Sequence, residues 1–440
     1  MPRNYCNSLA MRCCIMRIVE PAASSLLASR RFLPLFASQA LGAVNDNLFK
    51  NALVILVVYH AAHGGPELVA AAGGLFMLPY ILLSAIAGQV ADGYNRARML
   101  VLTKWLELGL MILGAVGFLT GSFWVLFTVL FGLGVQATFV GPLKYGILPN
   151  HLAENELVRG NGLIEAGTFG GILAGTIAGG ILIGLAHGPL IVAATAILIG
   201  VAGLMTAAQI PPAEIAEPGL RINWNSIRQS WLMVRGARAN RVVWLSILGL
   251  SWFWAFGAIF LAEFPVLAQH DFGANNQVIT LMLACFVVGI GGGSLLTARL
   301  LHGDISARLV PRAALGLSVF TIIFVAATYN VTPATGWHDV GSLLAASPGD
   351  MALAALMATA LCGGLYSVPL YVLIQEFSAA SHRSRMVAAN NIMNAFFMVI
   401  GSAAIAGLAA IHLTAPQILL LAALINLAVA WFVRRLTLDQ

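Results

Sequence analysis

Charge is what this sequence has least of. Asp, Glu, Lys and Arg make up only 9% of its 440 residues, against about 25% in soluble domains, while 60% are hydrophobic. That balance leaves no room for an enzyme domain standing in water, because nearly every residue is needed for apolar spans and short connections. With a net charge of +6, no nucleic-acid partner is expected. Cysteine is scarce as well. Cys6, Cys13 and Cys14 lie in an N-terminal leader and Cys285 and Cys362 in apolar stretches, so neither a disulfide framework nor a zinc site is expected. The nine histidines are scattered without metal-ligand spacing. No Ser-His-Asp arrangement, phosphate-cradling glycine loop or ATP-binding signature occurs, which argues against a primary pump and implies no cofactor.

What is present is a series of apolar runs of membrane-spanning length. They fall at 33–59, 68–91, 99–119, 123–145, 163–185, 189–210, 242–267, 277–300, 309–329, 351–375, 385–410 and 416–435, here spans 1 to 12. Lys and Arg occupy every second connection: Arg30 and Arg31 before span 1, Arg96 and Arg98 after span 2, Arg159 after span 4, five arginines after span 6, Arg308 after span 8, Arg383 and Arg385 after span 10, and Arg434 and Arg435 at the end. The alternate connections hold none. The asymmetry predicts that both termini are cytoplasmic. Residues 1–31 read as a cytoplasmic leader, since the apolar run from Ile18 to Ala28 is broken by Glu20 and Pro21 and makes a poor signal peptide.

The longest basic connection, Pro211–Asn240, reads as a cytoplasmic linker between an N-terminal six-helix bundle (32–210) and a C-terminal one (241–440). An internal echo supports two halves. GPLKYGILP from Gly141 and VPLYVLIQE from Val368 align Pro142 with Pro369, and a two-residue shift aligns Asn161 with Asn390 and Glu165 with Asn394. A parallel duplication of this kind is a feature of secondary transporters.

Within this apolar frame, polar residues stand out. Gln39, Ala43, Asp46 and Lys50 share one face of span 1, and Asp46 lies roughly 20 Å from Phe32, deep in a hydrocarbon layer about 30 Å thick. Charge at that depth costs several kcal/mol unless it meets a wet cavity or a partner, so such residues are usually functional; the competing reading is an Asp46–Lys50 pair that merely neutralises itself. Lys144, Asn161, Glu165, Glu263, Asn391 and Asn394 complete the candidate binding set, while Glu107 and Glu376 are left unassigned. Gly167, Gly171, Gly175 and Gly179 recur every fourth residue of span 5 and predict a close helix–helix contact.

Between spans 2 and 3, GQVADGYNRARML (Gly88–Leu100) resembles the loop signature of the major facilitator superfamily, with Gly88, Asp92 and Arg96 in register. Asp92 is expected to pair with Arg96 or Arg98 as a latch made in one conformation and broken in the other. FLPLFASQALGAVNDNLFKNALVIL, GQVAD, GPLKYGILP, LVRGNGLIEAGT and AANNIMN together resemble the bacterial lysophospholipid transporters of that superfamily, a membrane module also found fused to acyltransferase and acyl-carrier-protein synthetase domains. The resemblance implies an all-α membrane protein of twelve transmembrane helices in two six-helix bundles, and inward movement of lysophosphatidylethanolamine-like lipids across the bacterial inner membrane for reacylation. It places the family's first-span Asp on Asp46, its fourth-span Lys on Lys144, its fifth-span Glu on Glu165, and its eleventh-span Asn on Asn391 or Asn394. Glu263 stands where some relatives carry a basic residue. The partners implied are lysophospholipid, membrane lipid and a separate acyltransferase or synthetase, since no His-x4-Asp acyltransferase motif occurs. The alternatives are a proton-coupled exporter of drugs or sugars, and a non-transporting scaffold that docks an acyltransferase through Pro211–Asn240.

Overall fold

In a hydrocarbon layer every backbone N–H and C=O must be satisfied internally, so runs of apolar residues this long fold as helices. The computed structural model describes residues 26–60, 65–329, 331, 337–345 and 347–437. The leader cysteines, His63 and Gly64 lie outside the described residues. Among the described residues, twelve helices are long and apolar enough to cross a membrane. The first six are Leu33–His60, Gly65–Gly93, Arg96–Thr120, Phe123–His151, Glu154–Ile183 and Gly188–Ala207. The second six are Arg241–Val266, Asn276–Leu301, Val310–Thr328, Ser347–Phe377, Arg383–Ala410 and Ala415–Val433. Span 7 runs on through a wider turn to Asp271, and Ser226–Ala237 forms a separate helix in the linker.

Local chemistry sets the ends. Asn95 and Asn240 accept hydrogen bonds from the backbone N–H of Arg98 and Val243, capping spans 3 and 7. Gly121 closes span 3 at φ 66°, a left-handed conformation that a side chain would oppose. Spans 4 and 5 are longer than hydropathy predicts and leave only Leu152 and Ala153 between them, which puts Arg159 inside a helix rather than in a connection. Hydropathy stops where charge begins, but helical hydrogen bonding does not. The Glu156 carboxylate accepts from the Ala153 N–H at 2.9 Å and from Arg31 at 2.6 and 2.7 Å, so these polar helix ends are stable beyond the apolar layer. The hydrogen bond to Glu156 also raises the pKa of Arg31 above its ordinary value.

The glycines of span 5 set how closely it lies on span 1. A Cβ at Gly171 would stand 2.7 Å from the Ala40 carbonyl oxygen; at Gly175 and Gly179 it would meet the backbone of Val44 and Leu48. At Gly167 the nearest atoms belong instead to the Phe36 ring. Between the halves, span 5 packs on span 8 and span 2 on span 11. Lipid-facing positions stay apolar, as Leu102, Ile112, Ile181, Leu198 and Met205 show by their exposure.

Candidate functional site

Among the described residues, helices of both halves line a cavity of about 380 Å³, within the range of small-ligand sites; spans 6, 9 and 12 contribute nothing to its lining. Gln39, Asp46 and Lys50 reach it from span 1, Lys104 from span 3, Lys144 from span 4, Glu165 from span 5, and Asn391 and Asn394 from span 11. Its walls are unequal. Every charged residue lining it belongs to the first six helices. The second six contribute Phe253, Trp254, Leu261, Phe286, Ile290 and Met398, with Tyr371 and the two asparagines as their polar groups.

Two charge clusters lie on the N-terminal wall. In the first, Glu107 accepts from Lys104 at 2.6 Å, Gln136 at 3.1 Å and Asn45 at 3.1 Å. A Cβ on Gly42 would stand 2.5 Å from the Lys104 ammonium, so glycine at 42 makes room for it. Asp46 stands one turn from Gly42 and has one buried oxygen, Oδ1, without a hydrogen-bond partner. The Lys50 ammonium lies 5.5 Å from the Phe76 ring centre. In the second cluster, Tyr145 donates to Glu165, and Lys144 lies 4.5 Å from the Tyr145 ring centre. Lys104, Gln136, Tyr145, Trp254 and Tyr371 are absent from the sequence-derived set. The Lys104–Glu107 spacing of three was the only signal for the first of these.

Below the second cluster the two halves close on each other in three layers. Tyr145 and Tyr371 stack at 4.4 Å with an interplanar angle of 10°, and Trp254 donates to the Tyr371 hydroxyl at 2.9 Å. Next, Asn161 and Gln375 exchange amide hydrogen bonds at 3.0 and 2.7 Å, both fully buried. Last comes Asp92. Its carboxylate accepts from Arg96 at 2.9 Å, from the backbone N–H groups of Ser384 and Arg385 at 3.1 Å each, and from the Arg385 side chain at 3.1 Å. Ser384 and Arg385 belong to the first turn of span 11, so an anion from span 2 caps a helix of the other half. Gly88 allows this approach, since a Cβ there would lie 2.7 Å from that of Ala388. Glu217 of the linker also pairs with Arg385. All three layers lie toward the arginine-rich face. Toward the opposite face, spans 1 and 7 barely touch among the described residues, and span 11 beyond Phe396 is largely exposed.

Three sequence expectations are corrected by these positions. Arg98 is exposed and offers Asp92 nothing; the second cation is Arg385, from the other half. Asn161 is consumed by Gln375 and does not line the cavity. Glu263 is buried nearer the opposite face and also stands outside the lining.

The description of the Major Facilitator Superfamily matches residues 35–346 of the chain. The chain belongs to that superfamily. It is a multi-pass membrane transporter. It is 30% identical over 376 residues to the lysophospholipid transporter LplT of Pectobacterium carotovorum subsp. carotovorum (strain PC1), covering 82% of each chain. It is 28% identical over 353 residues to that of Escherichia coli O1:K1 / APEC, covering 79% of this chain and 81% of the relative. Among solved structures it is similar to the human organic anion transporter MFSD10, with a TM-score of 0.75 at 14% identity, covering 94% of this chain and 100% of that one. A bacterial homologue of the iron transporter ferroportin in an outward-facing state gives 0.70 at 15% identity, covering 93% and 99%. These structural likenesses establish the fold alone.

Proposed function

We propose that this transporter carries lysophospholipids of the phosphatidylethanolamine type inward across a bacterial inner membrane, where a separate acyltransferase or synthetase reacylates them. The observation that carries this reading is the inequality of the cavity walls. A lysolipid has a charged head and one long apolar tail, and a cavity with charge on one wall and aromatic and aliphatic side chains on the other suits both parts at once. A zwitterionic head needs an anion for its ammonium and a cation for its phosphate. Asp46, with an unpartnered oxygen, serves the first, and Lys144 the second; Lys50 and Lys104 also line the cavity. Glu165 holds the Tyr145 hydroxyl beside Lys144, and Asn391 and Asn394 supply neutral polar contacts from the other half.

Positive charge concentrates on the cytoplasmic side of membrane proteins, so the closed face is assigned to the cytoplasm and the cavity is reached from the periplasmic side. Release then requires the three layers to part, with Asp92 leaving span 11. Lysolipids named for the relatives in Pectobacterium and Escherichia support the substrate class.

The test is uptake of labelled lysophosphatidylethanolamine into spheroplasts that lack their own importer, with and without this protein and with and without an uncoupler. Protein-dependent conversion of label to diacyl lipid is the expected result, and Asp46→Ala, correctly inserted, is expected to abolish it. Absence of uptake by inserted wild-type protein would overturn the substrate assignment. Uptake that collapses with the uncoupler would add proton coupling to the cycle.

A further inference from the structure

The linker between the halves carries a surface that neither the cavity nor the latch uses. Its chain first descends along span 2. Leu220 packs on Gly93, Asn223 and Gln89 exchange hydrogen bonds, and the Ser226 hydroxyl donates to the Leu82 carbonyl. From Gly93 to Leu82 the linker therefore follows span 2 for about 16 Å, counted at the helical rise. The helix Ser226–Ala237 then returns, packed against spans 2 and 11, and Asn240 bonds the Phe377 carbonyl at the arginine-rich end of span 10. The linker is thus a hairpin laid along the outside of the bundle, with Met233 and Ala237 turned inward.

Its outward side is strongly apolar for a helix outside the spans. Trp224, Ile227 and Trp231 are 75%, 83% and 59% exposed. The tip that bears Trp224 and Ile227 is anchored at Leu82, which with Leu78 and Ile81, about a turn away, forms an exposed apolar strip on span 2. The same side is cationic. Arg221 and Arg228 are exposed, Arg235 stacks on Trp231 at 5.1 Å, and Arg238 stacks on Trp244 at 4.9 Å. Of the linker's two acids, Glu217 is already paired with Arg385 and Glu214 is exposed near the linker's start, before the hairpin.

We infer that this hairpin face is a docking surface for anionic phospholipid in the leaflet at the arginine-rich side. Continuity with the lipid-facing side of span 2 identifies the occupant as lipid, and the arginines select its charge. Trp224 and Ile227 at the tip meet acyl chains, while the arginines extend along the hairpin toward phosphate, as snorkelling side chains do. Each basic residue near an anionic surface contributes an attraction that falls off with salt. The hairpin also touches both partners of the latch, because the Glu217 N–H bonds the Asp92 carbonyl at 2.9 Å and its carboxylate holds Arg385. Lipid bound here holds the linker against spans 2 and 11 and favours the closed cytoplasmic face.

The experiment reconstitutes the full chain, its native cysteines replaced by serine and Ile227→Cys carrying an environment-sensitive fluorophore. Vesicles of phosphatidylcholine alone are compared with vesicles containing phosphatidylglycerol. The expected result is a blue-shifted, dithionite-protected label with phosphatidylglycerol, and protection that falls at least threefold when Arg221, Arg228 and Arg235 are changed together to Gln. A second label at the lipid-facing Leu198→Cys should stay protected in every case, which shows that the protein remains inserted. Protection equal in both vesicles, or unchanged by the arginine substitutions, would overturn the selection of anionic lipid. A label at 227 open to dithionite in both would overturn lipid as the occupant and leave the face to a soluble protein.

Discussion

Lys104 and Glu107 show how single residues survive in this interior. Both are nearly inaccessible to solvent; Lys104 is held by Glu107, and Glu107 by Lys104, Asn45 and Gln136. Removing one partner of a buried pair strands a charge and costs about 3–5 kcal/mol, whereas replacing both by apolar residues is far gentler. Glu107→Ala is therefore expected to lower the unfolding midpoint in detergent sharply, and Lys104→Met with Glu107→Leu to recover most of the loss. A single variant as stable as wild type would contradict the pairing. Much of this site was legible in the sequence, because Asp46, Lys50, Lys144 and Glu165 are charges in runs that otherwise admit none. What depth along a helix does not give is direction around it. Asn161 and Glu165 share a helical face by spacing, yet one meets Gln375 in the closed interface and the other meets Tyr145 at the cavity floor. Arg385 was hidden for another reason, since 293 residues separate it from Asp92 and only the fold brings them together.

At the scale of helices, the pairing of spans 1 and 5 depends on missing side chains. Gly175 lies against the Val44 carbonyl, while a Cβ on Gly170 would meet no other atom within 4 Å. Gly175→Ala should force the helices apart and destabilise by about 1–3 kcal/mol, the usual cost of overpacking. Gly170→Ala should be neutral or slightly stabilising, because alanine is the better helix former. Thermal unfolding of the two variants side by side checks the contrast; equal midpoints would show that the contact tolerates a methyl group. The periodicity of these glycines was plain in the sequence, but their partner was not, since an every-fourth pattern marks a face without saying which helix covers it.

For the whole molecule, the decisive feature is closure on one side only. Asp92 gathers four hydrogen bonds from both halves, and those made to charged groups contribute about 1.5–3 kcal/mol each. Asp92→Asn is expected to shift the population toward a state open at the arginine-rich face. A cysteine at Ala388, buried against Gly88, should then react with a membrane-impermeant maleimide applied to the arginine-rich face at least about tenfold faster, one decade per 1.4 kcal/mol. An unchanged rate would mean that the stacked tyrosines and the amide pair hold the gate unaided. The twelve spans were legible because hydrocarbon thickness fixes their length. Which end of the cavity is shut was not, because one sequence must encode both states.

The uneven walls of the cavity have a consequence for kinetics. If the two halves rock as bodies and the proposed substrate is held by Asp46 and Lys144, its headgroup travels with the first half and keeps its contacts throughout the stroke, while the acyl tail slides over the aromatic surface of the second. Recognition and turnover are then written on different halves. Changing the head should alter how much substrate is needed for half-maximal uptake, and lengthening the tail should alter how fast a saturated carrier cycles.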